Sequence, residues 1–269
     1  MDSTPRDHLR FRPDTMDRAI FDSVNSGNEY RLPPLFESSD VLMDVGGHIG
    51  SFSFAALSRG AGKVYTFEAE ASNFELVKNN LAPFGARSVV RRAAVFRSDR
   101  DIPTLTFTPS SDQANTGGGG FWQGESSQTV PVAKFDDLVD EATQLGRRRI
   151  RLLKMDCEGS EWPILLTSRR LDLIDAICGE YHIADYGGPM RVEGFGKYCT
   201  DLLRDFLTAQ GFDVELDPTK LPCGLFFGRR EGAIEFTAAE TGYRCYQSVS
   251  LWRTCKKLWS LGNRSRQAA

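Results

Sequence analysis

The sequence predicts a doubly wound α/β fold with a mostly parallel sheet, on three observations. From residue 40 onward, short apolar runs that suit buried strands alternate with segments that suit helices. A glycine-rich turn at residues 46–50 follows the first apolar run, and acidic residues end several of the later runs. Such alternation favours parallel strands joined by right-handed helical crossovers, with a ligand site at the carboxyl ends of the strands.

The elements follow one another regularly, and glycine or proline marks most of their ends. Strands are predicted at 41–45, 64–67, 87–96, 149–155, 173–178, 212–216 and 225–227, of which the last two suit an antiparallel pair. Helices are predicted at 51–59, 72–81, 136–144, 196–210 and from residue 161 onward. A hairpin is predicted within residues 97–131, and its four successive glycines indicate either a mobile lid or a plain surface loop.

Three regions are predicted along the chain. An N-terminal arm or cap covers residues 1–37, and the main domain covers 38–232 with the hairpin and glycine-rich loop inserted at 97–131. A basic tail covers 233–269, with six basic residues and no acid from Tyr243 onward. Apolar residues of the tail fall at helical spacing, which indicates an amphipathic helix that either docks on the acidic body or makes a peripheral membrane contact.

Composition excludes some classes of partner and site. The net charge of −3 does not favour nucleic acid as a partner. The six cysteines are scattered without a C-x-x-C pair, which argues against a structural zinc site and favours a reducing, cytoplasmic location. The N-terminus has no apolar signal region, and no run of eighteen apolar residues predicts a membrane span. No pattern indicates an oligomeric state.

The turn Asp44-Val45-Gly46-Gly47-His48-Ile49-Gly50 is the first candidate for a binding site, with Glu68 at the end of the next strand. Glycines let the backbone approach a ligand closely, and a strand-end carboxylate accepts both hydroxyls of a ribose. A nicotinamide fingerprint G-x-G-x-x-G would need glycine at positions 48 and 51, where this chain has His48 and Ser51. The spacing therefore favours a nucleoside cofactor without phosphates, and the alternative is an ordinary tight turn.

A second candidate lies at the end of the fourth predicted strand, where Asp156, Glu158 and Glu161 follow Lys154. Lys154, Asp156 and Glu158 occupy alternate positions and share one side while the strand lasts. A buried lysine is costly unless it is paired, so we expect Lys154 to meet one of these acids. The alternative interpretation is a salt bridge together with an acidic helix start.

Four segments together resemble the FkbM family of methyltransferases: residues 44–50, 66–68, 78–81 (Lys-Asn-Asn-Leu) and 154–161 (Lys-Met-Asp-Cys-Glu-Gly-Ser-Glu). The resemblance covers residues 38–230 and implies a class I, Rossmann-like, seven-stranded sheet with one antiparallel edge strand. It also implies S-adenosyl-L-methionine as the cofactor. The chain departs from the family at Gly47-His48, where Ala-Asn is usual, and at Ala69, where Pro is frequent.

The resemblance implies a set of cofactor-binding residues. Asp44, Gly46 and Gly50 would line the methionine half, Glu68 would hold the ribose, and Ala94 would lie near the adenine. The remaining members are Gly47 and His48, which lie in the same turn, and Asp156, which would face the sulfonium and the acceptor.

Methyl transfer to a hydroxyl gains from a group that takes the proton. Asp156, Glu158 and His182 are the predicted catalytic residues, with Glu180 a further candidate, although His182 suits a packing role equally well. No metal is assigned, because no oxygen-ligand loop stands out. The resemblance suggests a small-molecule acceptor, the hydroxyl of a natural product or a sugar. The alternatives are an inactive cofactor- or partner-binding protein on the same fold and a nicotinamide-dependent oxidoreductase.

Overall fold

The computed structural model describes residues 4–121, 126–220 and 222–238. Its strands, numbered in chain order, are β1 Val41–Val45, β2 Lys63–Glu68, β3 Ser88–Arg92, β4 Ala94–Phe96, β5 Thr104–Phe107, β6 Gln128–Lys134, β7 Leu152–Met155, β8 Ala176–His182, β9 Asp213–Lys220 and β10 Cys223–Arg229. Its α-helices are α1 Asp17–Asn25, α2 Ser51–Ser58, α3 Ala71–Leu81, α4 Phe135–Thr143, α5 Glu161–Thr167 and α6 Thr200–Ala209.

Seven strands form the central sheet in the order β3-β2-β1-β7-β8-β10-β9. Strands β1, β2, β3, β7 and β8 pair in parallel, whereas β10 runs antiparallel to both of its neighbours, β8 and β9. The predicted mostly parallel sheet is therefore confirmed. Its antiparallel member is the last strand of the chain, which lies one position inside the edge strand β9. Strands β2 and β3 lie on one side of β1 and strands β7 and β8 on the other, so the strand order switches between β1 and β7 and a crevice is expected at their carboxyl ends.

Helices cover both faces of this sheet, as the doubly wound prediction requires. Helices α4, α5 and α6 pack on one face through apolar side chains such as Phe135, Trp162 and Leu207. Helices α2 and α3 pack on the other face, where Phe54 contacts Phe21 of α1 with ring centroids 5.3 Å apart. Both strand faces are buried because helices lie on each, which explains the nearly continuous apolar runs of β1 and β7.

The prediction of one continuous strand over residues 87–96 is wrong. It divides into β3, at the edge of the central sheet, and β4, which pairs in parallel with β6 of a separate three-stranded sheet. The residues of β3 are mostly half-exposed, whereas Ala94, Val95 and Phe96 are buried. Ala94 and Phe96 pack against the hairpin of β5 and β6, whereas Val95 packs in the core of the main sheet.

The N-terminal arm contains a helix that the sequence analysis missed. Helix α1 packs its apolar residues Ile20, Phe21 and Val24 against the main domain. Among the described residues, no helix has the length and apolar character needed to cross a membrane, and the four described cysteines are free thiols. The predicted amphipathic helix of the tail lies at positions outside the described residues, and the domain boundaries stay predictions.

Candidate functional site

The turn after β1 is built around Gly46, which has a left-handed backbone with φ +82°. A Cβ atom at this position would lie 1.8 Å from the carbonyl oxygen of Asp156, so no other residue fits there without movement of β7. The N–H groups of Gly46 and Gly47 both donate to the carbonyl oxygen of Phe67, at 3.1 and 2.9 Å. The turn therefore holds the ends of β1, β2 and β7 close together.

Glu68 ends β2 and is held by the backbone on both carboxylate oxygens. The N–H of His48 donates to Oε2 at 2.7 Å, and the N–H of Glu70 donates to Oε1 at 2.8 Å. Burial raises the pKa of Glu68 to about 7 despite these two bonds. Each oxygen keeps acceptor capacity, so a diol in the neighbouring cavity could bond to this rigid carboxylate.

A cavity of about 270 Å³ opens at the carboxyl ends of the strands, where the switch in strand order places it. Its walls include six residues predicted for cofactor binding or catalysis: Gly46, His48, Glu68, Ala94, Asp156 and Glu158. Phe107 and Phe121 of the inserted segment, together with Val95, add apolar wall beside Ala94. The walls thus combine the carboxylates of Glu68, Asp156 and Glu158 with apolar surface beside β4.

Asp44, Gly47 and Gly50 do not line this cavity, so their contact with a cofactor stays a prediction. Asp44 is fully buried behind the turn, where Ser53 Oγ donates to its Oδ2 at 2.7 Å. Gly47 lines an adjoining cavity of about 30 Å³. Gly50, with φ +95°, begins α2 against the side chains of Val77 and Leu81.

Lys154 connects the turn after β1 with the acidic segment after β7. Its Nζ donates to the carbonyl oxygen of Gly46 at 2.6 Å and lies 3.3 Å from Asp44 Oδ1 and 4.0 Å from Asp156 Oδ2. Burial opposes its charge, but Asp44 and Asp156 outweigh burial and raise the pKa of Lys154. The sequence predicted that Lys154 pairs with an acid at the end of its own strand. Its contact with Asp156 is longer than its contacts with Gly46 and Asp44.

The arm and the inserted loop meet over the end of the cavity that His48 and Glu68 line. Thr116 Oγ1 donates to Asp17 Oδ1 at 2.7 Å and lies 2.8 Å from His48 Nε2. Arg12 bridges the same carboxylate at 2.8 Å and Asn73 Oδ1 of α3 at 2.7 Å. Burial would raise the pKa of Asp17, but its bonds with His48, Arg12 and Thr116 hold it well below the usual range.

This cover was missed because its partners are far apart in the chain. Asp17 and Thr116 are separated by 99 residues, and no local pattern connects them. One signal was available: Asp17, Ile20, Phe21 and Val24 have the spacing of a helix with a buried face. The described part of the glycine-rich loop, residues 117–121, packs on the cavity, and Trp122 of the same loop lies outside the described residues.

A second cluster gathers at the ends of β7 and β8, beside the cavity. His182 is buried, with Nε2 3.6 Å from Glu158 Oε2 and 3.9 Å from Glu180 Oε2, and Nδ1 3.4 Å from Glu161 Oε1. The sequence-predicted trio Asp156, Glu158 and His182 is therefore brought together. Glu161 instead holds the backbone, since Cys157 and Gly159 donate their N–H groups to it at 2.6 and 2.8 Å.

The cluster carries more acids than bases. Burial raises the pKa of Glu158 to about 8 and that of Glu180 to about 7, against the opposing charge of His182. Burial would lower the pKa of His182, but Glu158 and Glu161 outweigh it and raise the pKa. The site can thus hold a proton or a cation, and the catalytic role of His182 stays a prediction.

Tyr30 of the arm reaches this cluster and was also missed. Its hydroxyl donates to Asp156 Oδ2 at 2.9 Å, and its ring lies beside Lys154, with Nζ 5.5 Å from the centroid. Burial raises the pKa of Tyr30, and the charge of Asp156 adds to the effect. The arm therefore orients a carboxylate that both lines the cavity and belongs to the cluster.

Comparisons with solved structures find many similar chains at low identity. Precorrin-6y C5,15-methyltransferase from Geobacter metallireducens GS-15 is 12% identical over 84% of this chain and 95% of its own, with a TM-score of 0.41. TrmK from M. capricolum, solved with S-adenosyl-homocysteine, is 6% identical over 81% and 71%, with a TM-score of 0.42. Precorrin 8w decarboxylase from Methanobacterium thermoautotrophicum is 13% identical over 82% and 97%, with a TM-score of 0.41.

The family comparison is more specific than these likenesses. No curated protein sequence matches the chain. The sequence profile described as "Methyltransferase FkbM domain" matches residues 44–214, which span the turn after β1, the inserted loop and the cluster at the ends of β7 and β8. The chain belongs to the family of methyltransferases that carry the FkbM domain.

Proposed function

We propose that this protein transfers a methyl group from S-adenosyl-L-methionine to a hydroxyl of a small molecule, such as a natural product or a sugar. The observation that carries the proposal is the cavity between Glu68 and Asp156, because it joins a carboxylate suited to a ribose with a cluster suited to an acceptor. Family membership supports methyl transfer in general. The finer choice of cofactor and acceptor rests on the chemistry of the cavity.

The cofactor side of the proposal follows from the shape of the cavity. The ribose hydroxyls would donate to Glu68, and the adenine would lie on Ala94 and the neighbouring apolar wall. The methionine half would extend along Gly46 toward Asp156, where carboxylates favour a positive sulfonium. The turn lacks the G-x-G-x-x-G pattern that holds a pyrophosphate, with His48 and Ser51 at two of the glycine positions, which disfavours a nicotinamide cofactor.

The acceptor side follows from the chemistry of the transfer. The acceptor oxygen attacks the methyl carbon in line with the sulfur, from about 3 Å. A carbon–oxygen bond forms as the carbon–sulfur bond breaks, and S-adenosylhomocysteine leaves with the electron pair. The hydroxyl proton must be taken up nearby, and we assign this role to the group Asp156, Glu158 and His182, of which the two carboxylates line the cavity.

Calorimetric titration tests the cofactor. S-adenosylmethionine, S-adenosylhomocysteine and NAD are each titrated into wild type, Glu68→Ala and Glu75→Gln, the last an exposed control on α3. We expect micromolar binding of both sulfur compounds, retained in the control and lost in Glu68→Ala. Binding of NAD alone would favour the oxidoreductase, and no binding by a folded protein would contradict the proposed cofactor.

An acceptor screen then tests the reaction. Mixtures of sugars and hydroxylated natural products are incubated with the protein and isotope-labelled S-adenosylmethionine, and mass spectrometry follows the labelled methyl group. A methyl ether formed by wild type and lost in Asp156→Asn supports the proposal. Transfer of the label to a nitrogen or carbon atom would show that the acceptor is not a hydroxyl. Cofactor binding without turnover on any acceptor would favour the inactive binding protein.

A further inference from the structure

The strongest unexplained feature is the arrangement of Asp156, Glu180 and His182. One ligand atom from each of these side chains lies within 4.8 Å of the other two. Asp156 follows the end of β7, and Glu180 and His182 belong to the end of the adjacent strand β8. Two carboxylates and one imidazole thus converge from neighbouring strands on one point beside the cofactor cavity.

His182 supplies an independent indication that a ligand belongs there. Its residue is 7% exposed, yet within the described part of the chain neither ring nitrogen makes a hydrogen bond of normal geometry. The nearest contacts of the ring are carboxylate oxygens at 3.4 to 3.9 Å. A buried imidazole usually has a hydrogen-bond partner, so an open ring nitrogen directed at two carboxylates suits a metal ligand.

The nearby cations do not neutralise the cluster. Lys154 is shared with the carbonyl oxygen of Gly46 and with Asp44, and it approaches Asp156 only to 4.0 Å. The carboxylate of Glu158 also faces His182, and its Oε1 has no hydrogen-bond partner among the described residues. The carboxyl groups of Asp156, Glu158 and Glu180 therefore lie around one imidazole, and their ionised forms could balance the charge of a cation bound there.

We propose that Asp156, Glu180 and His182 bind one divalent metal ion of the first transition row, such as Mn²⁺. Metal–ligand bonds of about 2.1 Å place neighbouring ligands about 3 Å apart, so small side-chain movements would complete the site. Mixed carboxylate and imidazole ligands suit this class of cation. Tyr30, which donates to Asp156 Oδ2, would orient one ligand from behind.

Three protein ligands leave positions open for a substrate oxygen or water. A cation at this point would hold the acceptor hydroxyl beside the cavity end that Asp156 and Glu158 line. This positioning role rests on the proposed function, whereas binding of the cation does not. Glu158 would then remain as the free carboxylate of the cluster.

Binding of Mn²⁺ alone tests the site without any assay of turnover. Protein freed of metal with a chelator is titrated with MnCl₂, and the paramagnetic resonance signal of free Mn²⁺ reports the bound fraction. Wild type should bind one ion per chain. Binding should weaken at least about 10-fold in Glu180→Gln and in His182→Gln. Asp185→Asn, an exposed acid just beyond β8, should bind as wild type does.

Thermal melts first establish that each variant is folded, and Asp156→Asn replaces any variant that is not. Absence of Mn²⁺ binding in wild type, or equal binding in the ligand variants, would overturn the metal site. S-adenosylhomocysteine is titrated separately in chelator. If the protein binds S-adenosylhomocysteine but not Mn²⁺, only the metal site is contradicted. If it binds Mn²⁺ but not S-adenosylhomocysteine, the proposed cofactor is contradicted and the metal site is supported.

Discussion

The two ends of the site are built in different ways. At the end proposed for the cofactor, Glu68 is held by the backbone N–H groups of His48 and Glu70, within one contiguous stretch of chain. At the end proposed for the acceptor, Asp156, Glu158 and His182 come from two strand ends and face one another mainly through side chains. Backbone contacts hold the Glu68 carboxylate in one orientation, which suits recognition of one kind of ligand. The cluster is held mainly by side-chain contacts, which leaves its ionisable groups available for proton transfer.

The largest effect is expected where both ends depend on one backbone position. Gly46→Ala should destabilise the fold by at least about 2 kcal/mol, because its Cβ would collide with the carbonyl of Asp156 in a left-handed conformation. Urea unfolding measures the loss, with Gly196→Ala, which meets no atom within 4 Å, as the matched control. Equal midpoints for the two variants would show that the close approach of β1 and β7 is not required.

Substitutions at single side chains should separate the two ends. Glu68→Gln should weaken S-adenosylhomocysteine binding about 10- to 100-fold, because it removes a charged acceptor for the ribose. His182→Gln should lower turnover roughly 100-fold while cofactor affinity changes less than about threefold. Calorimetry measures the affinity of each variant, and initial rates measure its turnover. A variant that lost affinity and turnover together would show that the ends are not separable.

Acidity should affect the cofactor end in a defined direction. The pKa of Glu68 is raised to about 7, so protonation below that pH removes acceptor capacity and cofactor affinity should fall, up to about tenfold per unit. The raised pKa of Glu68 also affects the free energy of unfolding. Its stabilising contribution is fully present below pH 4.5, the ordinary pKa of a glutamate, and is lost as the pH rises through about 7. Calorimetry from pH 5.5 to 8.5 checks the trend, and the Glu68→Gln variant should lack it.

The smallest effect is expected in the cover formed by the arm. Arg12→Gln removes bonds to Asp17, Ser72 and Asn73, and should cost about 1 to 2 kcal/mol of stability and speed cofactor release several-fold. Stopped-flow displacement measures the release. Arg18→Gln, which breaks only the exposed pair with Asp22, should change stability by less than about 0.5 kcal/mol. Equal release rates would mean that the arm does not retain the cofactor.

The same contrast explains what could be predicted from the sequence. The turn at 44–50 and Glu68 are local patterns, so their shared position at the strand ends follows from the parallel fold. The cluster at the ends of β7 and β8 was predicted residue by residue, but its surplus charge depends on distances across two strands. Tyr30 lies 126 residues from Asp156, and no periodicity connects them. The division of 87–96 depended on burial against the inserted hairpin, which strand propensity does not encode.

A crystal structure with S-adenosylhomocysteine tests the central claim most directly, because it locates both ends of the ligand at once. We expect the ribose hydroxyls within hydrogen-bond distance of Glu68 and the thioether sulfur directed at Asp156 and the cluster beyond it. A ligand bound with its ribose away from Glu68, or with its sulfur turned from Asp156, would contradict it.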